Sequence, residues 1–380
     1  MKCSGINVAT GEEVEIGFDT VIESVEPVLA RTENPPLLAP GFIDLQVNGF
    51  AGVDYNSPET PLEEIRRSIQ ALYATGVTRF FPTVITGSPD DMAGAMRNLA
   101  LAQEHLQEGQ SIEGIHMEGP YISPEDGPRG AHPLGWVREP DAHEFVGLLD
   151  ASRGLIRIVT VAPEWPEAPR LIDALTTTGI VASIGHTAAD SGQIQAAVDS
   201  GASMSTHLGN AAHDRISRRS NYIWDQMVED RLAAGFIVDG IHLNDAFLKA
   251  ALRAKGVERS ILVTDAVAPA GCQPGLYRLG EVEVELSADG RVVLAGGTRL
   301  AGSALSMERG IENLMRIAGL SLLEAVSMAT RNPARVARVA SRQRGLTPGD
   351  RGDIVQFRLE EGRIRIEKTF VSGREVYRRC

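Results

Sequence analysis

The chain has 380 residues, of which 43% are hydrophobic and 23% charged, so its composition is that of a globular protein with enough apolar mass for a large core. Lys and Arg number 37 against 50 Asp and Glu, and the net charge of −13 argues against nucleic acid or an acidic membrane as the main partner, although a small anionic substrate remains compatible. With only three cysteines, no apolar signal core and no apolar stretch near the roughly 20 residues of a membrane span, we expect a cytoplasmic protein without a disulfide framework.

Both ends of the chain have the pattern of short strands separated by turns. The first end contains INVATGEEVEIGF and TVIESVEPVL, and the last end alternates apolar and polar residues in GDIVQFRLEEGRIRIEKTFVSGREVY. We therefore predict a small β domain, a β-sandwich, assembled from residues 1–38 and 346–380. Residues 39–345 would then form a separate, larger domain.

Eight short apolar runs alternate with amphipathic helical stretches through this larger domain. Several of the helical stretches, such as PLEEIRRSIQALYATG and DAFLKAALRAKG, end at a glycine, a frequent helix terminator. Eight strand–helix units with short loops predict an α/β fold with a (β/α)₈ TIM barrel, interrupted by a β insertion near 274–297. The apolar runs are LLAPGFIDLQV, GVTRFFPTVIT, IEGIHMEGPYI, LIRIVTVAPE, GIVASIGHT, GASMSTHLG, AGFIVDGIHL and RSILVTDAVAP.

Polar residues interrupt these runs near their C-terminal ends. In a barrel these ends meet at one mouth, where the chemistry of this fold takes place. Two imidazoles and a carboxylate suit a divalent metal ion that activates water, whereas any one of these residues alone would more simply be a buried polar residue with a hydrogen-bond partner. The residues are Asp44, Gln46, Asn48, His116, Glu118, His186, His207, His242 and Asp265.

Asp265 is the single acid at the end of the otherwise apolar run LVTDAVAP. Ionisation there is costly unless a metal ion or a hydrogen-bond donor lies close by. A carboxylate outside the metal ligands can take a proton from the attacking water and return it to the leaving group. We therefore expect Asp265 to be the catalytic acid and base.

The chain resembles the N-acetylglucosamine-6-phosphate deacetylase family of the amidohydrolase superfamily over nearly its whole length. The resemblance implies a hydrolase that removes the acetyl group from an N-acetylated amino sugar, N-acetylglucosamine 6-phosphate, and releases acetate and the amino sugar phosphate. It also implies a homodimer in which the neighbouring subunit approaches the phosphate. The motifs that carry it are PGFIDLQVNGFAGVDYN, HMEGPYIS, GAH at 130–132, IGHTAA, THLGNAA, DGIHL, LVTDA and LAGSALSM, in this order.

The resemblance further implies roles for single residues. It places the metal ion on Glu118, His186 and His207, makes Asp265 the acid and base, and gives His242 the task of stabilising the amide carbonyl oxygen. It implies that the sugar is held by a second set of residues, Ala131, His132, Asn210 and Ala211.

The first barrel run departs from many amidohydrolases, which have a His-x-His pair there that binds a second metal ion. Gln46 and Asn48 occupy these positions, as they do in some deacetylases of this family that work with one metal ion. We therefore expect one divalent ion per chain, Zn²⁺, with Gln46 and Asn48 as hydrogen-bonding partners of its surroundings.

A second departure follows the THLGNAA motif. The family usually has a short loop with Arg-Glu-Pro-Gly, whose arginine grips the substrate phosphate, but this chain has AAHDRISRRSNYIWDQMVEDRLAAG. Arg215, Arg218 and Arg219 either form a rebuilt anion site, in which Arg215 contacts substrate, or a solvated basic surface. His213 beside them is either a substrate contact or a bystander.

Two alternative functions remain open on the sequence. The first keeps the barrel and metal ion but changes the substrate to another N-acyl compound, such as an N-acyl amino acid, or to a cyclic amide. The second is a non-catalytic homologue, against which the complete set of Glu118, His186, His207 and Asp265 argues. The sugar epimer and the 6-phosphate are not determined by the sequence.

Overall fold

Strands occupy both ends of the chain, and strands and helices alternate between them. The computed structural model describes residues 1–28 and 33–380. Its strands are β1 (Lys2–Asn7), β2 (Glu13–Phe18), β3 (Ile22–Pro27), β4 (Leu37–Pro40), β5 (Phe42–Val47), β6 (Gly49–Phe50), β7 (Val53–Asp54), β8 (Val77–Ile85), β9 (Ile115–Glu118), β10 (Ile156–Val161), β11 (Val181–Ile184), β12 (Met204–Ser205), β13 (Ala233–Ile237), β14 (Ser260–Val263), β15 (Gly275–Leu279), β16 (Val282–Leu286), β17 (Val292–Leu294), β18 (Ile354–Glu360), β19 (Arg363–Val371) and β20 (Arg374–Arg378).

The α-helices lie mainly between the strands of the middle region. A π-helical turn, Leu314–Ala318, extends α8, and short 3₁₀ helices lie at Glu108–Ser111, Leu134–Trp136 and Val257–Arg259. The α-helices are α1 (Leu62–Tyr73), α2 (Pro89–His105), α3 (Ala142–Ala151), α4 (Ala168–Thr177), α5 (Ser191–Asp199), α6 (Tyr222–Val228), α7 (Asp245–Lys255), α8 (Met307–Asn313), α9 (Leu322–Met328) and α10 (Arg331–Val336).

Eight parallel strands form the central sheet, in the order β5, β8, β9, β10, β11, β12, β13 and β14. The two ends of this sheet meet beyond β14, where Val47 and Ala266 form a parallel bridge and the Asn48 amide donates to the Ala266 carbonyl at 2.7 Å. Each strand lies within one of the eight apolar runs of the sequence, except that β13 begins one residue before its run, at Ala233. The predicted (β/α)₈ barrel is therefore confirmed.

The helices cover the barrel with their apolar faces. On α1, Ile65, Ile69 and Leu72 are fully or nearly fully buried, and their spacing of three to four residues puts them on one side of the helix. Acidic residues Glu63 and Glu64 occupy its first turn, where the helix dipole favours negative charge. Among the helices of residues 1–28 and 33–380, none combines the length and the apolar character needed to cross a bilayer.

Strands from the two chain ends pair with one another in a seven-stranded sheet, ordered β20, β19, β18, β4, β1, β2 and β3. This pairing confirms the small β domain. Its strands form one continuous sheet because β4 pairs with β1 on one side and with β18 on the other. Phe18 and Phe370 pack edge to face in its core with ring centroids 5.2 Å apart. Residues 29–32 of its predicted range lie outside the described residues, and the boundaries 38/39 and 345/346 stay predictions.

The first apolar run, LLAPGFIDLQV, forms two strands, not the single barrel strand that its composition predicted. Residues Leu37–Pro40 pair with β1 and β18, and only Phe42–Val47 joins the barrel. Pro40 has no amide hydrogen to continue a ladder, and a side chain at Gly41 would lie 2.1 Å from Thr78. The chain can therefore pass close to Thr78 as it crosses from one sheet to the other.

Residues 274–297 form a three-stranded antiparallel sheet, β15–β17, between the eighth barrel strand and α8. Val284, Leu286 and Val292 pack with Ile85 and Val267 in a separate apolar cluster at the end of the barrel. This packing places the insertion beside the barrel mouth.

Candidate active site

A cavity of about 930 Å³ opens at the C-terminal ends of the barrel strands. Gln46 lies just outside its lining and bonds to a lining residue, Glu118. Eleven of the other predicted site residues line the cavity, and the structure therefore brings together Asn48, Glu118, Ala131, His132, His186, His207, Asn210, Ala211, Arg215, His242 and Asp265.

Three buried side chains at the floor of this cavity could hold a metal ion. Glu118 is the last residue of β9, and His186 and His207 follow β11 and β12 by two residues. Their ligand atoms lie within 4.8 Å of one another. The Glu118 Oε1 atom is 3.2 Å from His186 Nε2 and 3.0 Å from His207 Nε2, and the two imidazole nitrogens are 3.2 Å apart.

These separations fit a shared divalent ion. Ligands about 2.0–2.1 Å from a tetrahedral Zn²⁺ lie about 3.3 Å from one another. The His186 Nδ1–H donates to the Pro128 carbonyl at 3.0 Å, which leaves the Nε2 lone pair facing the other two ligand atoms. His207 Nδ1 is buried without a hydrogen-bond partner among the described residues. The donor set and the fixed tautomer of His186 therefore suit a metal ion.

Charge within the three residues favours the ionised carboxylate. Burial raises the pKa of Glu118, but the adjacent imidazoles of His186 and His207 outweigh this effect and hold it well below its usual range. Burial lowers the pKa of His207, and the contact with Glu118 more than reverses that shift. A proton on His207 therefore competes with a metal ion, because only the neutral imidazole is a ligand.

Gln46 and Asn48 turn their amide groups toward the two carboxylates of the site. Gln46 Nε2 donates to Glu118 Oε1 at 2.9 Å, and Asn48 Nδ2 donates to Asp265 Oδ1 at 2.7 Å. Both amide oxygens are buried without a partner among the described residues. In this arrangement the pair supplies hydrogen bonds to the carboxylates.

Asp265 lies two residues beyond β14, where the ends of the barrel sheet meet. Its amide donates to the Gln46 carbonyl at 3.0 Å, which ties it to the first strand. Burial raises the pKa of the Asp265 carboxyl to about 7, and the negative charge of Glu118 adds to the shift. A carboxyl group whose pKa lies near neutral pH can both accept and donate a proton at physiological pH.

Three of these residues have left-handed backbone conformations that are rare outside glycine. His186, His207 and Asp265 have φ angles of 50°, 26° and 51°. Such conformations cost of order 1–3 kcal/mol each and persist where the surrounding structure enforces them. Each lies just past a strand end, so the chain turns there and directs the side chain into the mouth.

His242 is oriented by an acid that the sequence analysis missed. His242 Nδ1 donates to Asp239 Oδ2 at 2.6 Å, and the backbone amide of His242 donates to the other oxygen at 2.9 Å. Burial raises the pKa of Asp239, but the hydrogen bond and charge of His242 hold it below its usual value. The motif DGIH carried the signal, because an acid three residues before a histidine can cap the turn between them.

The residues expected to hold the sugar lie on two loops across the mouth. His132 Nδ1 bonds to Thr86 Oγ1 at 2.8 Å, and its ring packs edge-on against His186. Burial, together with the nearby His186, lowers the pKa of His132 to about 3, so it stays neutral. Asn210 Nδ2 donates to the His207 carbonyl at 3.1 Å. No sequence pattern pointed to Thr86.

Two of the strand-end polar residues lie below the mouth, contrary to the expectation that all of them converge on it. Asp44 and His116 are fully buried and do not line the cavity. Asp44 accepts from Thr264 Oγ1 at 2.5 Å, and His116 bonds to the Leu45 carbonyl and to Thr160 Oγ1 at 3.0 and 2.8 Å. They precede Gln46 and Glu118 by two residues and so face the barrel interior one layer deeper.

The chain matches the amidohydrolase family over residues 37–376. The chain belongs to the amidohydrolase family. Members of this superfamily depend on metal ions, which agrees with the ligand cluster of this amidohydrolase.

Named relatives of this amidohydrolase extend over most of its length. N-acetylglucosamine-6-phosphate deacetylase of Bos taurus is 36% identical over 353 residues, 90% of this chain and 83% of the relative. N-acetylgalactosamine-6-phosphate deacetylase of Escherichia coli O157:H7 is 30% identical over 357 residues, 93% of this chain and 92% of the relative. A mutant N-acetyl-D-glucosamine-6-phosphate deacetylase of Mycobacterium smegmatis, solved in complex with N-acetyl-D-glucosamine 6-phosphate, superposes with a TM-score of 0.86 at 31% identity, covering 96% of this chain and 94% of that one.

Proposed function

We propose that this amidohydrolase removes the acetyl group from N-acetylglucosamine 6-phosphate and releases acetate and the amino sugar phosphate. The observation that carries the proposal is the placement of Glu118, His186 and His207 in one cavity with Asp265. The Bos taurus relative and the Mycobacterium smegmatis complex support the choice of substrate.

The metal ion that we propose is a single Zn²⁺ per chain. Glu118, His186 and His207 would hold it, since two imidazoles and one carboxylate are common ligands of catalytic zinc. The bound ion would supply an activated water nucleophile and polarise the amide carbonyl. Gln46 and Asn48 support a count of one ion, because their amide hydrogens already face the carboxylates.

Asp265 would carry out both proton transfers of the hydrolysis. As water forms its bond to the carbonyl carbon, the ionised Asp265 takes the water proton. When the carbon–nitrogen bond breaks, Asp265 returns that proton to the nitrogen, because an amine anion is a very poor leaving group. The Asn48 amide holds the carboxyl group in place at 2.7 Å.

His242 would stabilise the charge that develops on the carbonyl oxygen. Asp239 holds its Nδ1 side at 2.6 Å, which orients the ring, and the opposite nitrogen can donate to the substrate oxygen only when both ring nitrogens carry a hydrogen. Ala131, His132, Asn210 and Ala211 line the same cavity and would position the sugar ring.

The test is steady-state acetate release from four compounds by enzyme of measured metal content. N-acetylglucosamine 6-phosphate should be the best substrate. N-acetylglucosamine without phosphate tests the 6-phosphate, N-acetylgalactosamine 6-phosphate tests the epimer, and an N-acetyl amino acid tests another amide class. Preference for the amino acid in metal-loaded enzyme would replace the proposed substrate, and no turnover of any amide would favour a non-catalytic homologue.

We further propose a homodimer located in the cytoplasm. The dimer rests on the family resemblance, and the location rests on the composition of the sequence. Light scattering coupled to gel filtration would give a single species of twice the 40.8 kDa chain mass, whereas a single species of the chain mass would contradict the dimer.

A further inference from the structure

Two loops carry most of the residues expected to hold the substrate, and they contact each other through residues that are not part of the ligand cluster. Loop 119–133 follows β9 and contains Ala131 and His132, and loop 208–221 follows β12 and contains Asn210 and Ala211. Glu125 on the first loop and His213 on the second meet at 3.1 Å.

His213 is bonded through both ring nitrogens. Its Nε2 faces Glu125 Oε2 at 3.1 Å, and its Nδ1 faces the Tyr222 hydroxyl at 3.0 Å. That hydroxyl also accepts from the His213 backbone amide at 2.9 Å, so its own hydrogen is available to Nδ1. In this network Nε2–H donates to Glu125, and the ring keeps no free nitrogen for a substrate.

The backbones of the loops also approach closely beside this contact. Gly127 has φ +98°, and a side chain there would lie 3.0 Å from the Ala212 carbonyl and 3.1 Å from His213 Cα. Tyr222 is 7% exposed and begins α6, so it fixes the contact to a buried part of the protein. Glycine at 127 thus permits the contact, and Tyr222 anchors it.

We propose that His213 is a positioning residue that fastens loop 208–221 to loop 119–133 and thereby sets the geometry of the substrate cavity. Loop 119–133 also supplies the Pro128 carbonyl that orients His186, three residues beyond Glu125. Movement of this loop therefore alters the sugar contacts on both loops and one support of the ligand cluster.

The kinetic test rests on the proposed function and uses a double-mutant cycle. His213→Ala and Glu125→Ala should each raise KM for N-acetylglucosamine 6-phosphate about three- to tenfold, the range for one partly exposed contact, with kcat within about twofold. The double variant should be no worse than either single variant, because both remove the same contact. His213→Gln retains an amide donor for Glu125 and should recover part of the loss. Ile216→Ala, an exposed change in the same loop outside the cavity lining, should behave as wild type.

A second test needs no substrate and separates this inference from the proposed function. Hydrogen exchange of residues 119–133 should become faster in His213→Ala and in Tyr222→Phe, which keeps the ring but removes the hydroxyl, while the melting temperature and the exchange of barrel strand β8 stay unchanged. The proposed role of His213 would be overturned by either of two results. One is unchanged exchange of the loop in well-folded variants, and the other is additive kinetic effects of the two alanine substitutions. If wild type releases no acetate from the sugar phosphate, the proposed function fails and the exchange result alone decides the role of His213.

Discussion

The ligand cluster and loop 208–221 share one cavity but differ in construction. At the cluster, Glu118, His186 and His207 are each at most 6% exposed, and each comes from a strand end. In the loop, residues 214–220 are exposed. Arg215 lines the cavity, but it belongs to neither a strand nor a helix.

We infer from this difference that the ligand cluster determines which bond is hydrolysed, whereas loop 208–221 determines which substrate is recognised. Buried side chains at strand ends hold their geometry through hydrogen bonds and backbone conformations that the barrel enforces. Exposed loop residues can change without disturbing the barrel. Perturbing the cluster should therefore affect all substrates equally, and perturbing the loop should affect them selectively.

The largest effect is expected from His207→Ala. Two ligands would remain, so the loss of metal affinity should exceed the roughly 10- to 100-fold typical for losing a supporting contact, and turnover of every substrate should fall with it. Elemental analysis after dialysis and acetate release on the same sample would check this. His143→Ala, which removes an exposed histidine of α3, is the matched control, and stoichiometric metal in His207→Ala would disprove the ligand assignment.

Asp265→Asn should lower kcat by about 10²- to 10⁴-fold while much of the bound metal is retained, because the amide keeps the size of the side chain but cannot transfer the proton. Near-normal turnover in the metal-loaded variant would refute the assignment of Asp265.

The pH profile of wild type offers a related check. Asp265 must be ionised to act as a base, so activity should fall as the pH drops through its pKa. In the metal-free chain that pKa is raised to about 7, and the positive charge of a bound ion would lower it. The acid limb should therefore lie below pH 7 and disappear from the residual activity of Asp265→Asn.

A smaller effect is expected from Asp239→Asn. The substitution weakens the hold on His242 Nδ1, and kcat should fall about tenfold, as is typical for losing the partner of an active-site histidine. KM should change little, since Asp239 does not line the cavity. A larger change in KM than in kcat would place His242 in substrate binding instead of carbonyl stabilisation.

The smallest effect is expected from Arg215→Ala. An exposed ionic contact contributes about 0–1 kcal/mol, so KM for a phosphorylated substrate should rise up to about fivefold, with no change for the unphosphorylated sugar. Arg218→Ala in the same loop is the control. Equal effects of the two substitutions on both sugars would indicate a solvated basic surface in place of an anion site.

The same contrast explains what the sequence could predict. The eight apolar runs and the polar residues that end them determine the barrel and the cluster, since strand ends in this fold converge whatever the loops do. The depth of Asp44 and His116 could not be predicted without the strand register, which places them one layer below Gln46 and Glu118. The contacts of His132 with Thr86 and of His213 with Tyr222 depend on how loops pack, and no local pattern in the sequence encodes that.

The closure of the barrel beside Asp265 has a consequence for judging preparations of this enzyme. The candidate ligands Glu118 and His207 are separated by 89 positions within the middle of the chain, whereas the Asn48–Asp265 contact spans 217 positions and needs both ends of the barrel sheet. A chain in which β5 is not paired with the segment after β14 could retain the metal ion. It would lack the Asn48–Asp265 contact that positions the proton-transfer residue. Metal content therefore reports only whether the ligand residues are assembled. The ratio of activity to bound metal reports the fraction of molecules in which the barrel is also closed beside Asp265.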